Sequence, residues 1–371
     1  MKSSFLRRFL LVGLAAAIPA AVLVSAGPTN AAAKATKASA AKPMIYWLEQ
    51  GAGNPYWNAQ HLAAAQAGKR LGYNFKSFSG NLSATDQAAI LKQLANQKPA
   101  LIMLNSIDPA TIVPSIKYAE SKGVPVLSLY SNIPQATASI GFNEIRSGQL
   151  AAKEAATFLK QRYGKITGTI GVLGGVQGQP TSDQRANGFI AYFKAHYPGV
   201  KVVFQPTNWD ASQASAAMQD WLTKYPNLSM VYGLSDTITV PAAEVAQRQS
   251  RLCLNKPGKN WTADPSCIIF VSVDGFFLND DVNGTLFSDE MYSPQWSAYV
   301  YGEDAYSIVK HRAYQKNTLL KSLLVTSVNA ACALRMQTAM ANSMASFDFT
   351  AGPTLQAVAS HFGCKVLDAN Q

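Results

Sequence analysis

The chain has 371 residues, enough for about two domains, and 48% hydrophobic with 14% charged residues is a globular composition that buries sizeable cores. No long low-complexity tract follows the first forty residues, so a disordered or fibrous chain is excluded. The formal net charge of +11 is spread along the chain without clusters of Lys and Arg, which argues against nucleic acid as a partner.

Residues 1–33 read as a cleaved secretory signal peptide. Lys2, Arg7 and Arg8 precede an apolar run from Phe9 to about Ala26, and Ala31-x-Ala33 offers a cleavage site. Pro19 interrupts that run, which is short for a membrane span. No cysteine lies near the cleavage region, so a lipid anchor is disfavoured. Cleavage removes the three cations and leaves +8. Residues 34–43 form an Ala/Lys/Ser leader, and export places the mature protein in the periplasm.

The folded chain opens on a buried strand over 44–48, the polar turn Gly51-Ala52-Gly53, and a helix started by Asn54-Pro55. Proline suits the first helical turn, and the asparagine side chain suits the cap. A strand end feeding a helix N-terminus is where open α/β sheets place ligands, so Tyr56 and Trp57 point at a crevice. The helix runs to Leu71 with Leu62, Ala65 and Leu71 on one face, and Gly72 ends it. Strands over 73–78, 100–104 and 124–129 then alternate with helices over 83–96 and 108–122, giving a doubly wound βα unit.

The pattern restarts with a helix over 143–163 and a strand over 168–173 ending in the loop Gly174-Gly175-Val176-Gln177-Gly178. Helices over 181–196, 211–224 and 239–249 alternate with strands over 200–205, 230–233 and 268–273, the last ending at Asp274-Gly275. Beyond come residues 285–292, a helix over 295–310, a strand over 322–328, and an extension over 329–371. That extension holds a Met/Ala-rich helix and a short second one. Met336, Met340 and Met344 recur every four residues and read as packing.

Four cysteines remain: Cys253, Cys267, Cys332 and Cys364. They lack C-x-x-C and histidine spacing, so no metal is expected. Cys253 and Cys267 flank a Pro/Gly/Asn-rich insertion, while Cys332 and Cys364 bracket the extension. Each pair is expected to form a disulfide in an oxidising compartment.

A catalytic constellation is not found. Tyr56 stands at the third glycine of the dinucleotide fingerprint, and neither a G-x-S-x-G elbow nor a phosphate-cradling loop occurs. His61, His196, His311 and His361 fall on predicted helices without triad neighbours, and Asp280-Asp281 reads as a solvated turn. No cofactor is expected, and the chain is read as a binding protein rather than an enzyme.

An ordered set of marks gives the chain a resemblance. They are Asn54-Pro55-Tyr56-Trp57; Leu71-Gly72-Tyr73; Gly123-Val124-Pro125-Val126; Ile140-Gly141-Phe142-Asn143; the glycine loop; Arg185-x-x-Gly188-Phe189; Ser235-Asp236; and Val273-Asp274-Gly275. From Met44 to about Val328 the chain resembles type I periplasmic solute-binding proteins of ABC importers, in the ribose/galactose/xylose cluster. The resemblance implies an α/β fold of two Rossmann-like lobes joined by three hinge strands, crossing near Phe142, near residues 292–294 and near Val325. The first lobe would comprise 44–142 plus 293–324, and the second 143–292 plus 325–371.

The resemblance also implies ligand positions. Asn54, Tyr56 and Trp57 match first-lobe residues, Trp209 matches a second-lobe stacking aromatic, and Asp274 matches a carboxylate that accepts from sugar hydroxyls. Asp183 stands where a polar or basic group is common, Ser235 where Asn is usual, and Tyr292 where Gln is usual. Tyr130, Phe142, Asn143 and Asp236 complete the candidate set. Pentose and hexose binders carry Asp-Arg where this chain has Tyr130-Ser131, so a bidentate arginine grip is missing there. A sugar needs aromatic platforms for its C–H faces and fixed polar groups for its rim. The expected ligand is a neutral sugar or polyol, with an amine-bearing solute as the alternative. The expected partner is a membrane ABC permease, with a chemoreceptor ectodomain as the alternative, and the protein is expected to be a monomer.

Overall fold

The structure is a computed structural model that describes residues 41–344, 346–349 and 354–367. The expected signal peptide and residues 34–40 of the leader lie outside the described residues. The chain opens as β1 (Met44–Glu49), α1 (Pro55–Leu71), β2 (Asn74–Ser79), α2 (Ala84–Asn96), β3 (Leu101–Asn105), α3 (Pro109–Ser121), β4 (Val126–Leu129) and β5 (Ala138–Gly141). It continues through α4 (Glu144–Tyr163), β6 (Thr169–Gly174), α5 (Pro180–His196), β7 (Lys201–Pro206), α6 (Ala211–Lys224), β8 (Leu228–Gly233), α7 (Asp236–Arg248) and β9 (Ile269–Asp274). It closes with α8 (Leu278–Asn283), β10 (Leu286–Met291), α9 (Pro294–Val309), β11 (Asn317–Leu319), β12 (Leu323–Thr326), α10 (Ala330–Asn342) and α11 (Leu355–His361).

The strands form two six-stranded sheets, ordered β11-β5-β4-β3-β1-β2 and β12-β10-β9-β8-β6-β7. Every pairing is parallel except β12, which runs antiparallel to β10. Each sheet is the centre of one α/β lobe. Central strands β3 and β9 are buried along their whole length, as helices on both faces require.

Local chemistry starts the first helix as expected. The Asn54 Oδ1 accepts from the backbone N–H of Tyr56 at 2.9 Å and of Trp57 at 3.4 Å, and Gly72 ends α1 at φ 94°. Its inward face needs correction. Leu62 is 69% exposed, and Gln60, Ala63, Ala64 and Ala67 face in. α1 packs closely on α9, with three alanines giving the close approach and Gln60 reaching Ser297 Oγ across it at 2.9 Å.

Both disulfides form as expected, Cys253–Cys267 and Cys332–Cys364. The methionine stripe of α10 is buried packing, with Met336, Met340 and Met344 in the core. Strands β5 and β11 and helix α8 escape the sequence. β5 carries one large apolar residue, and β11 is a three-residue edge strand whose partner is distant in sequence. The Asp280-Asp281 pair is not a solvated turn: both residues belong to α8, and Asp281 is 1% exposed. His311 lies in a turn beyond α9 rather than on a helix.

The chain passes between the sheets three times, from β5 into α4, from β10 into α9, and from β11 into β12. β12 joins the second sheet from Leu323, slightly ahead of the expected crossing. Phe142 and Tyr292, at the first two crossings, stack at 3.6 Å with 7° between their planes.

Candidate functional site

A narrow cavity of about 40 Å³ lies where the carboxyl ends of the strands of both sheets face each other. That is far below the usual ligand pocket of about 300–1,000 Å³, so the lobes leave little open space between them. From the first lobe it is lined by Asn54, Tyr56 and Trp57 of the α1 opening, Asn105 at the end of β3, and Tyr130 just past β4. From the second lobe come Gln179, Thr181 and Arg185 around α5, then Trp209, Ser235 and Asp274.

The first-lobe wall is held by polar chains running inward. Asn105 Nδ2 donates to Glu49 Oε1 at 2.6 Å, and its Oδ1 accepts from Gln50 Nε2 at 3.0 Å. Tyr130 sits at φ 62°, and its hydroxyl accepts from Gln60 Nε2 at 2.5 Å, the same nitrogen that reaches Ser297 Oγ at 2.9 Å. A Cβ on Gly141 would stand 2.8 Å from the Tyr130 Cα, so only glycine lets β5 lie against this bend. Burial pushes the Tyr130 and Tyr56 phenols well above their ordinary range, so both stay protonated donors.

The second-lobe wall is built on the glycine loop. A Cβ on Gly175 would come within 2.0 Å of the Trp209 indole, so the ring packs directly against this loop. Its Nε1–H donates to Gln179 Oε1 at 2.7 Å. Thr207 ties the same turn to the Gly174 carbonyl at 2.7 Å, and Asp210 caps α6 by accepting from the Gln213 N–H at 2.8 Å. Asn208 and Trp209 both occupy left-handed backbone, at φ 53° and 60°, and Asp274 sits at φ 110°. Non-glycine residues in such conformations cost free energy and cluster where function fixes them.

Arg185 is the electrostatic hub. It is 2% exposed, its Nε donates to Glu144 Oε2 at 2.6 Å, and its Nη1 reaches the Leu234 carbonyl at 2.6 Å and Asp274 Oδ1 at 3.1 Å. The guanidinium also lies 4.8 Å from the Tyr292 ring centre. Burial pulls its pKa down, but Glu144, Tyr292 and Asp274 more than reverse this, so it stays charged. Close crossing of α4 and α5 brings Arg185 to Glu144. A Cβ on Gly148 would sit 2.1 Å from the Arg185 carbonyl, and one on Gly188 the same distance from that of Ile145.

Of the candidate residues, Asn54, Tyr56, Trp57, Tyr130, Trp209, Ser235 and Asp274 share the cavity. Phe142 and Tyr292 stack behind it, and Tyr292 donates from its hydroxyl to Glu144 Oε2 at 2.9 Å. Asn143 is exposed and caps α4. Asp183 does not line the cavity; it accepts from the Gly178 N–H at 3.2 Å, and two residues of helix, about 200° of rotation, turn it away from the inward-facing Arg185. Asp236 is fully buried below the loop that carries Asp274. The sequence reading missed Asn105, Gln179 and Thr181 as lining residues, and left Arg185, a family mark and the one cation near the crevice by sequence, out of the ligand positions.

Asp236 holds that loop by its backbone. Its Oδ2 accepts from the N–H groups of Phe276 at 2.6 Å and Phe277 at 3.1 Å, and Asp289 Oδ1 accepts from Gly275 at 3.1 Å. Burial raises the pKa of Asp236, Asp281 and Asp289, and their mutual repulsion raises those of Asp281 and Asp289 further. Asp274 is pushed up to about 7 by burial, against the pull of Arg185. Folded pKa values above unfolded ones mean that the native state holds more protons, so stability falls as pH rises. For Asp274 the loss runs from its unfolded value near about 4 up to the folded value of about 7. From pH 5.5 to pH 8 it amounts to about 2 kcal/mol. The calorimetric unfolding midpoint is expected to drop by several degrees over that range, with Asp274→Asn flattening the slope. A midpoint that climbs with pH would contradict these buried acids.

The sequence pattern of the family described as periplasmic binding protein domain matches residues 45–263. The ribose import binding protein RbsB of Salmonella typhimurium is 24% identical over 245 residues, covering 66% of this chain and 80% of that protein. Among solved structures, an ABC transporter solute-binding protein from Mycobacterium smegmatis with bound glycerol is similar at TM-score 0.68 and 21% identity, covering 78% of this chain and 96% of that one. Another from Actinobacillus succinogenes with bound D-allose is similar at TM-score 0.68 and 18% identity, covering 78% and 99%. Two parallel-sheet lobes that meet over one cavity, and a family pattern spanning most of both, make this chain a member of the periplasmic binding protein family.

Proposed function

We propose that the chain captures one small neutral polyhydroxylated solute, a sugar or polyol, between its lobes and delivers it to an ABC permease. The observation that carries this reading is the pairing of Trp57 and Trp209, from opposite lobes, on one cavity whose cation is already neutralised. Arg185 spends its charge on Glu144 and Asp274, so an anionic ligand finds no free positive group there. Indoles suit the C–H faces of a ring, while Asn54, Asn105, Ser235 and Asp274 offer donors and acceptors to its hydroxyls. The names of the relatives, which bind ribose, glycerol and D-allose, support the same class.

The protein works outside the cytoplasm as a binding protein, not an enzyme, and as a monomer. Capture proceeds by population shift, because a solute touches both walls only when the lobes meet. A thermal-shift screen over ribose, allose, glycerol, xylitol, myo-inositol and a panel of amines tests the class. A true ligand at a hundred times its Kd stabilises by about 2.7 kcal/mol. A raised midpoint with one sugar or polyol is expected; a rise with amines alone would overturn the reading.

A further inference from the structure

The C-terminal extension makes contacts that a terminal appendage does not need. It leaves the second sheet at β12, where Asn329 Nδ2 donates to the carbonyls of Leu324 and Lys365, both at 3.0 Å. The Cys332–Cys364 disulfide closes a 32-residue separation at the same place. From there α10 packs on α8 of the second lobe. Gln337 Nε2 donates to the carbonyl of Gly275 at 2.9 Å, the residue next to Asp274.

Past α10 the chain reaches the first lobe. Arg70, near the end of α1, donates from Nη1 to the carbonyls of Phe347 at 2.7 Å and Met344 at 3.3 Å. Its guanidinium lies 5.1 Å from the Tyr299 ring centre and 5.7 Å from that of Phe349. Phe349 in turn stacks on Tyr299 of α9 at 4.3 Å and 15°. One end of the extension is therefore tied to the loop that carries Asp274, and the other to the α1–α9 pair of the opposite lobe.

We propose that residues 330–344 and 346–349 act as a strap between the lobes, holding them together and setting the fraction of closed protein before any solute arrives. Rotation about the hinge crossings must break the grip at one end, because a segment anchored on both bodies cannot follow both. The first-lobe end is the weaker one: α10 packs more lightly on α9 than on α8, and beyond it come the Arg70 guanidinium on two carbonyls and the Phe349–Tyr299 stack, without a covalent tie. Such a strap biases the equilibrium without locking it, and apparent affinity follows the closed fraction. The proposal rests on the two-lobed architecture and not on which solute binds.

Spin labels at Lys92→Cys on α2 and Gln219→Cys on α6, both exposed, report the distance between lobes by pulsed electron resonance without solute. With the native disulfides intact, Arg70→Ala is expected to lengthen and broaden that distance relative to the labelled parent. Arg70 is exposed, so the unfolding midpoint should move little. The control is Arg248→Ala, whose one salt bridge is to Glu244 within α7 of the second lobe, and it should leave the distance unchanged. An Arg70→Ala distribution identical to the parent's, or the same lengthening in Arg248→Ala, overturns the strap.

Discussion

Arg185→Met lowers the unfolding free energy by about 3–5 kcal/mol, the usual result of removing one member of a buried ion pair. The side chain bridges Glu144 and Asp274, which are themselves buried, and methionine replaces its length while supplying no charge. Glu144 keeps the Tyr292 hydroxyl as a donor, so Asp274 is the carboxyl left worse placed. Without the guanidinium, the pKa of Asp274 moves further above its present value of about 7. The sign follows directly. A higher folded pKa keeps the native state protonated over more of the neutral range, so the variant loses stability more steeply with rising pH than the parent. Urea denaturation at pH 5.5 and pH 8 reads both effects. A loss below about 1 kcal/mol at pH 8, or a gap between variant and parent that narrows as pH rises, would show that the hub does not carry the load.

This hub was poorly legible in the sequence, and the reason is distance along the chain. Asn54-Pro55 announces its helix because cap and first turn are neighbours, and the structure repeats that reading atom for atom. The buried strands are equally local: 101–104 is apolar throughout, as a doubly covered parallel strand must be. Arg185, by contrast, acquires its meaning from Glu144 and Asp274, 41 and 89 residues away. Asn105 likewise needs Glu49, 56 residues back, before it reads as part of a wall. The resemblance supplied Trp209 and Asp274 but also suggested Asp183, which shares a helix with Arg185 and faces the glycine loop instead. Leu62 shows the opposite failure. Hydrophobicity favours it for the core, but the buried face of α1 carries Tyr56, Gln60 and three alanines, and Leu62 falls on the other side. Periodicity marks which residues can be buried, and the neighbouring element decides which of them are.

Trp209→Ala is expected to cost about 2.5 kcal/mol of solute binding, or roughly 70-fold in Kd. A ring pressed on the indole covers about 100 Å² of apolar surface, part of the 150–250 Å² an aromatic buries, at about 25 cal/mol per Å². The variant keeps its loop, because Thr207 binds Gly174 and Asp210 caps α6 without using the indole. Gly175→Ala reaches the same platform from behind. Its φ is ordinary, so the backbone accepts alanine, but the new Cβ falls 2.0 Å from the indole and must push it off the glycine loop. The hydrogen bond to Gln179 breaks with that movement, and the ring leaves its place on the cavity wall. Calorimetry with the solute that gives the largest thermal shift should therefore rank the parent tightest, Gly175→Ala weaker, and Trp209→Ala weakest. Trp209 is only half-buried but packs against both core clusters, so the solute-free unfolding midpoint should fall modestly in both variants. An affinity unchanged in Trp209→Ala would mean that the solute sits elsewhere. A loss in Trp209→Ala with none in Gly175→Ala would mean instead that the indole moves freely over its glycine bed, and that its presence matters more than its angle.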